Sequence, residues 1–167
     1  MLASDLEPAL HTLVQALAGP RALPAGGAAG VVAIAMGTAL GKKVLAFSPD
    51  LPTELRPLAG QLDELLQQLL PEFAADCDAF EALLAAFALD RADGGRSAAI
   101  QRAWQTATAA PERVATLAGK VEALLQACSG KCNANLAGDL AAARELVRAG
   151  QQIAVANAAE NARHLHG

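Results

Sequence analysis

Aromatic and strand-favouring residues are scarce in this chain. Aromatic side chains make up 3% of its 167 residues, and tyrosine is absent. Because isoleucine, threonine, phenylalanine and tryptophan are also few, a β-sheet is not expected. Hydrophobic residues still reach 53%, and this surplus consists mainly of alanine and leucine, which are strong helix formers. The composition therefore predicts an all-α protein, and the length fits one domain.

Long runs of positive charge are missing as well. The formal net charge is -4 and the pI is about 5.3. Because no basic run exceeds Lys42–Lys43, a nucleic-acid partner is not expected. The opening MLASDLEPAL has no basic segment before an apolar one, so a secretory signal is not expected either. The odd set Cys77, Cys128 and Cys132 indicates a reduced, cytoplasmic location.

The common catalytic and metal-binding motifs do not occur. There is no G-x-S-x-G, no P-loop and no H-E-x-x-H in the sequence, which removes the usual indications of several hydrolase, nucleotide-binding and zinc-protease classes. Cys128 and Cys132 have no matching second pair of ligands, so a zinc site is not expected. The sequence predicts no metal.

The longest uncharged stretch is LPAGGAAGVVAIAMGTALG, at residues 23–41, with Lys42 and Lys43 directly after it. A membrane-spanning helix needs about 20 strongly apolar residues, whereas the side chains here are mainly small. We therefore expect a long Ala/Gly-rich core helix and no membrane span. Gly26 and Gly27 precede this helix, where exposed backbone N–H groups attract anions; the alternative is a tight turn into a closely packed helix.

Proline and glycine divide the chain into about seven helical stretches. Their approximate ranges are 5–18, 27–47, 53–70, 71–89, 96–110, 111–130 and 136–165. Pro71 and Pro111 open the fourth and the sixth, since proline suits the first turn of a helix. No repeat, linker or abrupt composition shift separates them, so we expect a single-domain helical bundle over residues 1–167. Long helices with many apolar positions also suggest a homodimer.

One carboxylate is a candidate for chemistry. Asp76 and Asp78 are two residues apart, so on a helix they point in different directions, and at most one faces the interior. Asp76 shares a stripe with Phe80, Leu83 and Phe87, which would place it at the edge of the core. A carboxyl group there would have a raised pKa and could transfer protons. The alternative is a surface aspartate.

Polar residues in the last helical stretch are also unusual. Asn157 and Asn161 are four apart and share one helix face. Their amides could bond to a neighbouring helix or to a ligand, and the pattern favours neither. Asn135 could cap the last helix, and Asp139 would lie in its first turn, where the helix dipole favours a negative charge.

Five segments in order resemble the cyclodeaminase/cyclohydrolase family. The segments are LPAGGAAGVVAIAMGTAL, DCDAFEALLAAFALDR, RSAAIQRAWQTATAAPERVA, NANLAGDLAAA and the pair Asn157 and Asn161. They are similar to that family's Pro-Gly-Gly-Gly-Ser helix start, Asp-x-x-Ala-(Phe/Tyr) helix, proline-broken Ala-rich helix, Asn-x-Asn-x-x-Ser-Asp-Leu motif and Asn-Val-x-x-Asn-Leu motif. The family includes the cyclodeaminase domain of formiminotransferase-cyclodeaminase and stand-alone methenyltetrahydrofolate cyclohydrolases.

The resemblance implies an all-helical, dimeric enzyme that acts on folates carrying one-carbon units. The implied reaction is methenyltetrahydrofolate hydrolysis or formiminotetrahydrofolate cyclodeamination, with no cofactor beyond the tetrahydrofolate substrate. Asp76 matches the position of the family's catalytic aspartate and takes the acid/base role. The implied substrate-binding residues are Gly26, Gly27, Asn135, Asp139, Asn157 and Asn161.

Several motif positions depart from the family pattern. Ala28 and Gly138 stand where the family has serine, and LDR replaces its Leu-Pro-Lys turn. These departures leave a second hypothesis, a non-catalytic helical module of the same fold that binds another ligand or partner. The two hypotheses differ in one structural expectation. The enzyme requires Asp76, the asparagine face and the glycine turn to line one cavity, whereas the module leaves Asp76 in solvent.

Overall fold

The fold comes from a computed structural model, which describes residues 3–165 of the chain. Its α-helices are α1 (Ala3–Ala18), α2 (Gly26–Ala46), α3 (Leu58–Leu69), α4 (Glu72–Ala88), α5 (Arg96–Ala127) and α6 (Ala137–Ala162). Short 3-10 turns occupy Thr53–Leu55, Ala134–Leu136 and Arg163–Leu165. Over this described range there is no strand, so the all-α prediction is confirmed.

Five helices, α2 to α6, form the bundle, and α1 lies outside it. Over residues 4–18 the side chains are exposed apart from the half-buried Leu13, and α1 packs only sparsely on the other helices. Helix α1 is long enough for four turns. Because it makes few contacts with the other helices, its apolar side chains face solvent in a single chain.

The prediction of about seven helices is wrong at Pro111. The predicted helices at 96–110 and 111–130 are one continuous helix, α5, with Pro111 inside it. A proline in a helix interior removes one backbone donor and crowds the preceding turn. Here α5 packs along α4 and α6, and packing of this kind supplies most of the stability of helices in proteins. One missing hydrogen bond therefore does not end the helix.

Glycine contacts bring α2 and α6 together in antiparallel orientation. A Cβ added at Gly30 would lie 3.1 Å from the Ile153 side chain, and one at Gly37 would lie 2.5 Å from the Ala143 carbonyl oxygen. From the other side, a Cβ at Gly150 would lie 2.5 Å from the Gly30 carbonyl oxygen. Cβ atoms essentially never come within 3.0 Å of a backbone oxygen, so glycine is required at Gly37 and Gly150 for the two helix backbones to touch, whereas at Gly30 the Ile153 side chain would have to shift slightly.

The main core lies around α2. Its largest fully buried apolar side chains are Ile34, Val44, Leu62, Leu69, Val121, Leu125 and Val147. A smaller cluster of Leu83, Ala86 and Ala103 packs α4 against α5. On α3, Leu62, Leu65 and Leu69 recur at helical spacing and lie on its buried face.

Among residues 3–165, only α2 is long and apolar enough to cross a membrane. Half of its most apolar window is buried inside the protein, and it contacts α3, α4, α5 and α6. This packing agrees with the prediction of a long core helix rich in alanine and glycine.

We expect Gly37→Ala to lower the free energy of unfolding by about 1–3 kcal/mol, because the new methyl group overpacks the contact between α2 and α6. Gly60 on α3 is exposed and has open space around a Cβ. Gly60→Ala is therefore the matched control and should stabilise by about 0.5–1 kcal/mol. Urea unfolding followed by circular dichroism measures both. Equal stability of the two variants would contradict a close glycine contact.

Candidate active site

The carboxylate of Asp76 on α4 lies directly against Gly27 at the start of α2. A Cβ added at Gly27 would overlap the carboxylate, with Asp76 Cγ only 2.6 Å away. A Cβ added at the neighbouring Gly26 would meet nothing within 4 Å. Gly27 is therefore the residue that allows α4 to bring a carboxylate onto the end of α2.

The Asp76 carboxylate caps α2 from a different helix. The N-cap residue Ala25 makes no side-chain capping bond, and the first N–H groups of a helix have no partner inside it. The backbone N–H of Ala28 donates a hydrogen bond to Asp76. Because this contact uses the backbone of Ala28, it does not need the serine that the family pattern has at this position.

Burial raises the pKa of the Asp76 carboxyl group above its ordinary value, and the hydrogen bond from Ala28 partly opposes that rise. Asp76 is half-buried, whereas Asp78 is exposed. This agrees with the prediction that at most one of the two faces the interior. A carboxyl group with a raised pKa exchanges its proton nearer neutral pH, which suits acid/base chemistry.

Asp76 opens into a cavity of about 240 Å³ at one end of the bundle. The cavity is lined by Leu23, Ala25, Gly26, Gly27, Asp76, Ala79, Phe80, Leu83, Trp104, Ala107, Asn157 and Asn161. Five of the seven predicted site residues thus lie together: both glycines, the aspartate and both asparagines. They come from α2, α4 and α6, and the fold alone brings them to one place.

Asn161 compensates for the proline inside α5. In an α-helix the N–H of residue i bonds to the carbonyl of residue i−4, so Pro111 leaves the Ala107 carbonyl without its usual donor. The Nδ2 group of Asn161 donates to this carbonyl oxygen at 2.6 Å. Of the two alternatives for Asn161, the structure therefore shows the hydrogen bond to a neighbouring helix. The Asn161 side chain also lines the cavity.

Asn157 has no hydrogen-bond partner within residues 3–165. It lies one turn from Asn161 on the same face and is half-buried at the wall of the cavity. A side-chain amide offers two donors and one acceptor oxygen. Asn157 can therefore bind a group that carries both donors and acceptors, such as a cyclic amide.

Asn135 and Asp139 lie away from this cavity. Along α6, about 27 Å at 1.5 Å per residue separates Asp139 from Asn157. Asn135 is exposed and Asp139 half-buried, and neither lines the Asp76 cavity. Within one chain they do not join the other five residues, and their part in substrate binding stays a prediction.

The predicted cap at Asn135 is wrong, because Asn133 takes that role. The side chain of Asn133 accepts a bond from the Asn135 N–H at 3.0 Å and starts the 3-10 turn, while α6 itself begins after Leu136 without a side-chain cap. Asn133 also donates from Nδ2 to the Phe47 carbonyl at 3.0 Å. It therefore ties the loop before α6 to the end of α2.

Trp104 is a cavity residue that sequence reasoning missed. It lines the Asp76 cavity, stacks on His164 with ring centres 4.0 Å apart, and meets Phe87 edge-on at 6.2 Å. The only available signal was that it is the single tryptophan of the chain. Its ring supplies a broad apolar wall opposite the polar groups.

No cluster of three or more metal-ligating side chains occurs in the described part of the chain. Cys128 is buried, and burial raises the pKa of its thiol to about 11. Cys128 is therefore a thiol at neutral pH rather than the thiolate that binds metals.

Comparisons with known proteins agree along most of the chain. Residues 9–166 match the family model described as formiminotransferase-cyclodeaminase. Methenyltetrahydrofolate cyclohydrolase of Methylorubrum extorquens is 29% identical over 166 residues, covering 93% of this chain and 80% of the relative. The crystal structure of formiminotetrahydrofolate cyclodeaminase from Thermotoga maritima matches with a TM-score of 0.82 at 25% identity, covering 93% of this chain and 79% of that one.

The bond from Asn161 to Ala107 predicts a coupling with Pro111. Asn161→Ala should lower the free energy of unfolding by about 1–3 kcal/mol, because it leaves the buried Ala107 carbonyl unpaired. In a Pro111→Ala background the new N–H can bond to Ala107, so the same change should cost at least about 0.5 kcal/mol less. Urea unfolding of the wild type, the two single variants and the double variant measures the coupling. Asn157→Ala is the control and should change the free energy of unfolding equally in the wild-type and Pro111→Ala backgrounds. An equal effect of Asn161→Ala in the two backgrounds would contradict the compensation.

Proposed function

The chain belongs to the formiminotransferase-cyclodeaminase family, and from this premise we propose that it is an enzyme acting on a tetrahydrofolate. The reaction makes or breaks a C–N bond at the one-carbon unit, and Asp76 serves as the acid/base group. The observation that supports this most strongly is the single cavity that contains Asp76, Gly27 and Asn157. The non-catalytic alternative expected Asp76 in solvent and asparagines that only bridge helices, and the cavity favours the enzyme.

In the hydrolytic direction, water adds to the bridge carbon of the methenyl cation. The Asp76 carboxylate accepts a proton from this water as the new C–O bond forms. The protonated Asp76 then gives the proton to the ring nitrogen whose bond to carbon breaks. The remaining hydroxyl group loses its proton to solvent as the C=O bond forms, which leaves a formyl group on the other nitrogen. The negative carboxylate also stabilises the positive charge of the substrate. The similar protein from Methylorubrum extorquens is a cyclohydrolase, which supports this direction.

Cyclodeamination needs the same proton transfer with a different pair of groups. The nitrogen on the other side of the future bridge attacks the carbon of the protonated formimino group, and Asp76 accepts the proton that this nitrogen loses. The carboxyl group then protonates the departing nitrogen, so ammonia leaves and the methenyl bridge closes. The solved structure from Thermotoga maritima carries this activity in its name. One half-buried carboxyl group is sufficient for either reaction.

The cavity is shaped for one end of the substrate. Its volume of about 240 Å³ is below the range of about 300–1,000 Å³ usual for ligand pockets, so it holds the reacting end rather than the whole folate. The unpaired amide of Asn157 is suited to the amide edge of a pterin ring. Trp104 and Phe80 supply apolar walls.

We also propose that two copies of the chain associate through α1. Leu6, Leu10, Val14 and Leu17 form one row along this helix and are between 36% and 60% exposed. An apolar row of this kind indicates an interaction site. Residues 3–18 contain no lysine or arginine but do contain Asp5 and Glu7, which is unlike a helix that binds an anionic membrane. A second copy presents the same apolar row and suits a two-fold contact.

Asp76→Asn should lower the turnover rate about 10²–10⁴-fold, the usual contribution of a positioned acid/base group. The fold should persist, because the amide oxygen can still accept the Ala28 N–H. Near-ultraviolet absorbance follows the loss of methenyltetrahydrofolate, or its formation from formiminotetrahydrofolate. Since hydrolysis needs the carboxylate form and burial raises the Asp76 pKa, the wild-type rate should fall as the pH drops through that raised pKa.

The matched control is Asp78→Asn, which removes the same charge from an exposed position on the same helix and should leave the rate unchanged. Gly27→Ala should also slow the reaction, because its methyl group displaces the carboxylate. Full activity of Asp76→Asn would remove the assigned role. A wild-type protein without activity on either folate would favour the non-catalytic module.

The dimer prediction is tested by light scattering on the purified protein. Leu10→Glu together with Val14→Glu should convert a dimer into monomers, because both charges would be buried in the contact. Thr12→Glu lies on the opposite face of α1 and should leave the dimer intact. A wild-type monomer at micromolar concentration, or a double variant that is still dimeric, would contradict this contact.

A further inference from the structure

Two cysteines meet beyond the end of α5, far from the Asp76 cavity. Cys128 is the C-cap residue of α5, and Cys132 follows in the loop before α6. Along α5, about 31 Å at 1.5 Å per residue separates Cys128 from Ala107, which lines the Asp76 cavity. The pair therefore lies outside the cavity of the proposed reaction.

The backbone reverses direction directly after Cys128. The N–H of Lys131 donates to the Cys128 carbonyl oxygen at 3.0 Å, which closes a four-residue turn. Gly130, inside this turn, has a φ of 71°, in the left-handed region that favours glycine. A turn of this kind holds its first and fourth Cα atoms within about 7 Å of each other. It thereby brings the next residue, Cys132, back towards Cys128.

The two thiol groups are in contact. Cys128 is buried in the main core, and Cys132 is half-buried and packs against the same core. The two thiols hydrogen-bond to each other, and the Cys128 Sγ also donates to the Leu124 carbonyl oxygen at 3.2 Å. Neighbouring thiols on the two sides of a closed turn are arranged to form a disulfide with little movement of the backbone.

Cys132 is the thiol that a small reagent can reach. It lines two openings at this loop, of about 330 and 280 Å³. Cys128 lines neither opening and is 0% exposed. Because oxidation of a cysteine depends on its exposure as well as on its thiolate character, Cys132 is expected to react first and Cys128 second.

We propose that Cys128 and Cys132 form a reversible redox pair that a hydroperoxide oxidises to a disulfide. Cys132 loses its proton to solvent, and its sulfur attacks one oxygen of the peroxide. The O–O bond breaks, Cys132 becomes a sulfenic acid, and the other oxygen leaves and takes up a proton. The Cys128 sulfur then attacks the Cys132 sulfur, so that the S–S bond forms, the S–O bond breaks, and the hydroxyl group leaves with the Cys128 proton as water. Two electrons pass in all from the two thiols to the peroxide.

The contact between the thiols protects Cys132 from irreversible damage. A sulfenic acid without a neighbouring thiol reacts with more peroxide to give a sulfinic acid, which thiols do not reduce. The disulfide, in contrast, returns to two thiols by exchange with another thiol. Cys132 directly precedes Asn133, whose backbone N–H donates to Ser48 Oγ at 2.9 Å. The redox pair therefore preserves the loop at the point where it is tied to the end of α2.

Peroxide treatment of the purified full chain, followed by alkylation under denaturing conditions and mass spectrometry, tests the pair. The reduced protein has three cysteines to alkylate. The oxidised protein should retain only Cys77 as a free thiol, and dithiothreitol should restore the other two. Trypsin cleaves after Lys131, so the disulfide should join the peptides 121–131 and 132–144.

Cys128→Ser removes the second sulfur and keeps a hydroxyl group that can donate to the Leu124 carbonyl. In this variant the sulfenic acid on Cys132 should persist, so dimedone should label Cys132 severalfold more than in the wild type, and sulfinic acid should follow. Cys77→Ser is the matched control, because it changes the other half-buried cysteine, and the linked peptides should form as in the wild type. Circular dichroism checks that each variant is folded.

Cys132→Ser gives a second test at a position that is only half-buried. Without the reachable thiol, Cys128 should stay reduced at the peroxide dose that links the wild-type peptides. A wild-type disulfide through Cys77 or between two chains, or sulfinic acid on Cys132 in place of the linked peptides, would overturn the pair. These readouts count thiols and not folate turnover, so they succeed or fail independently of the proposed function.

Discussion

The contact between the backbones of α2 and α6 determines where everything else in this protein lies. Gly37 on one helix and Gly150 on the other leave no room for a Cβ, and Gly30 leaves little. The antiparallel approach sets the start of α2 beside the last turns of α6. That is why two glycines at the start of α2 and two asparagines, separated by more than a hundred residues, share one cavity wall. A larger side chain at these positions would separate the helices and enlarge or destroy the cavity.

Asp76 contributes both to the contact between α4 and α2 and to the proposed proton transfer. Its carboxylate accepts the Ala28 N–H at the start of α2, where the helix has no cap of its own. Its partial burial disfavours the charged form, whereas the helix end favours it. These opposing effects leave a group that is held in one position and can still exchange a proton. Asp78, two residues further along α4, is exposed and does not line the cavity.

The proline in α5 shows how a local defect can be used in tertiary structure. Pro111 removes one donor, and the freed Ala107 carbonyl becomes an acceptor for Asn161. The bond ties α5 to the end of α6 at the wall of the cavity. It orients Asn161, whereas the amide of Asn157, one turn earlier, makes no hydrogen bond within residues 3–165.

The amino-acid sequence by itself determined the all-α class, the long core helix and the shared face of Asn157 and Asn161, and it limited the interior to at most one of Asp76 and Asp78. Each of these follows from composition or helical periodicity, which are local properties. Tertiary structure alone decided the continuity of α5 through Pro111 and the contact between Asn133 and the end of α2. It also decided the place of Trp104. These features depend on which distant helices pack together, because a freed carbonyl or an uncapped helix end takes whatever donor or acceptor the packing brings within reach.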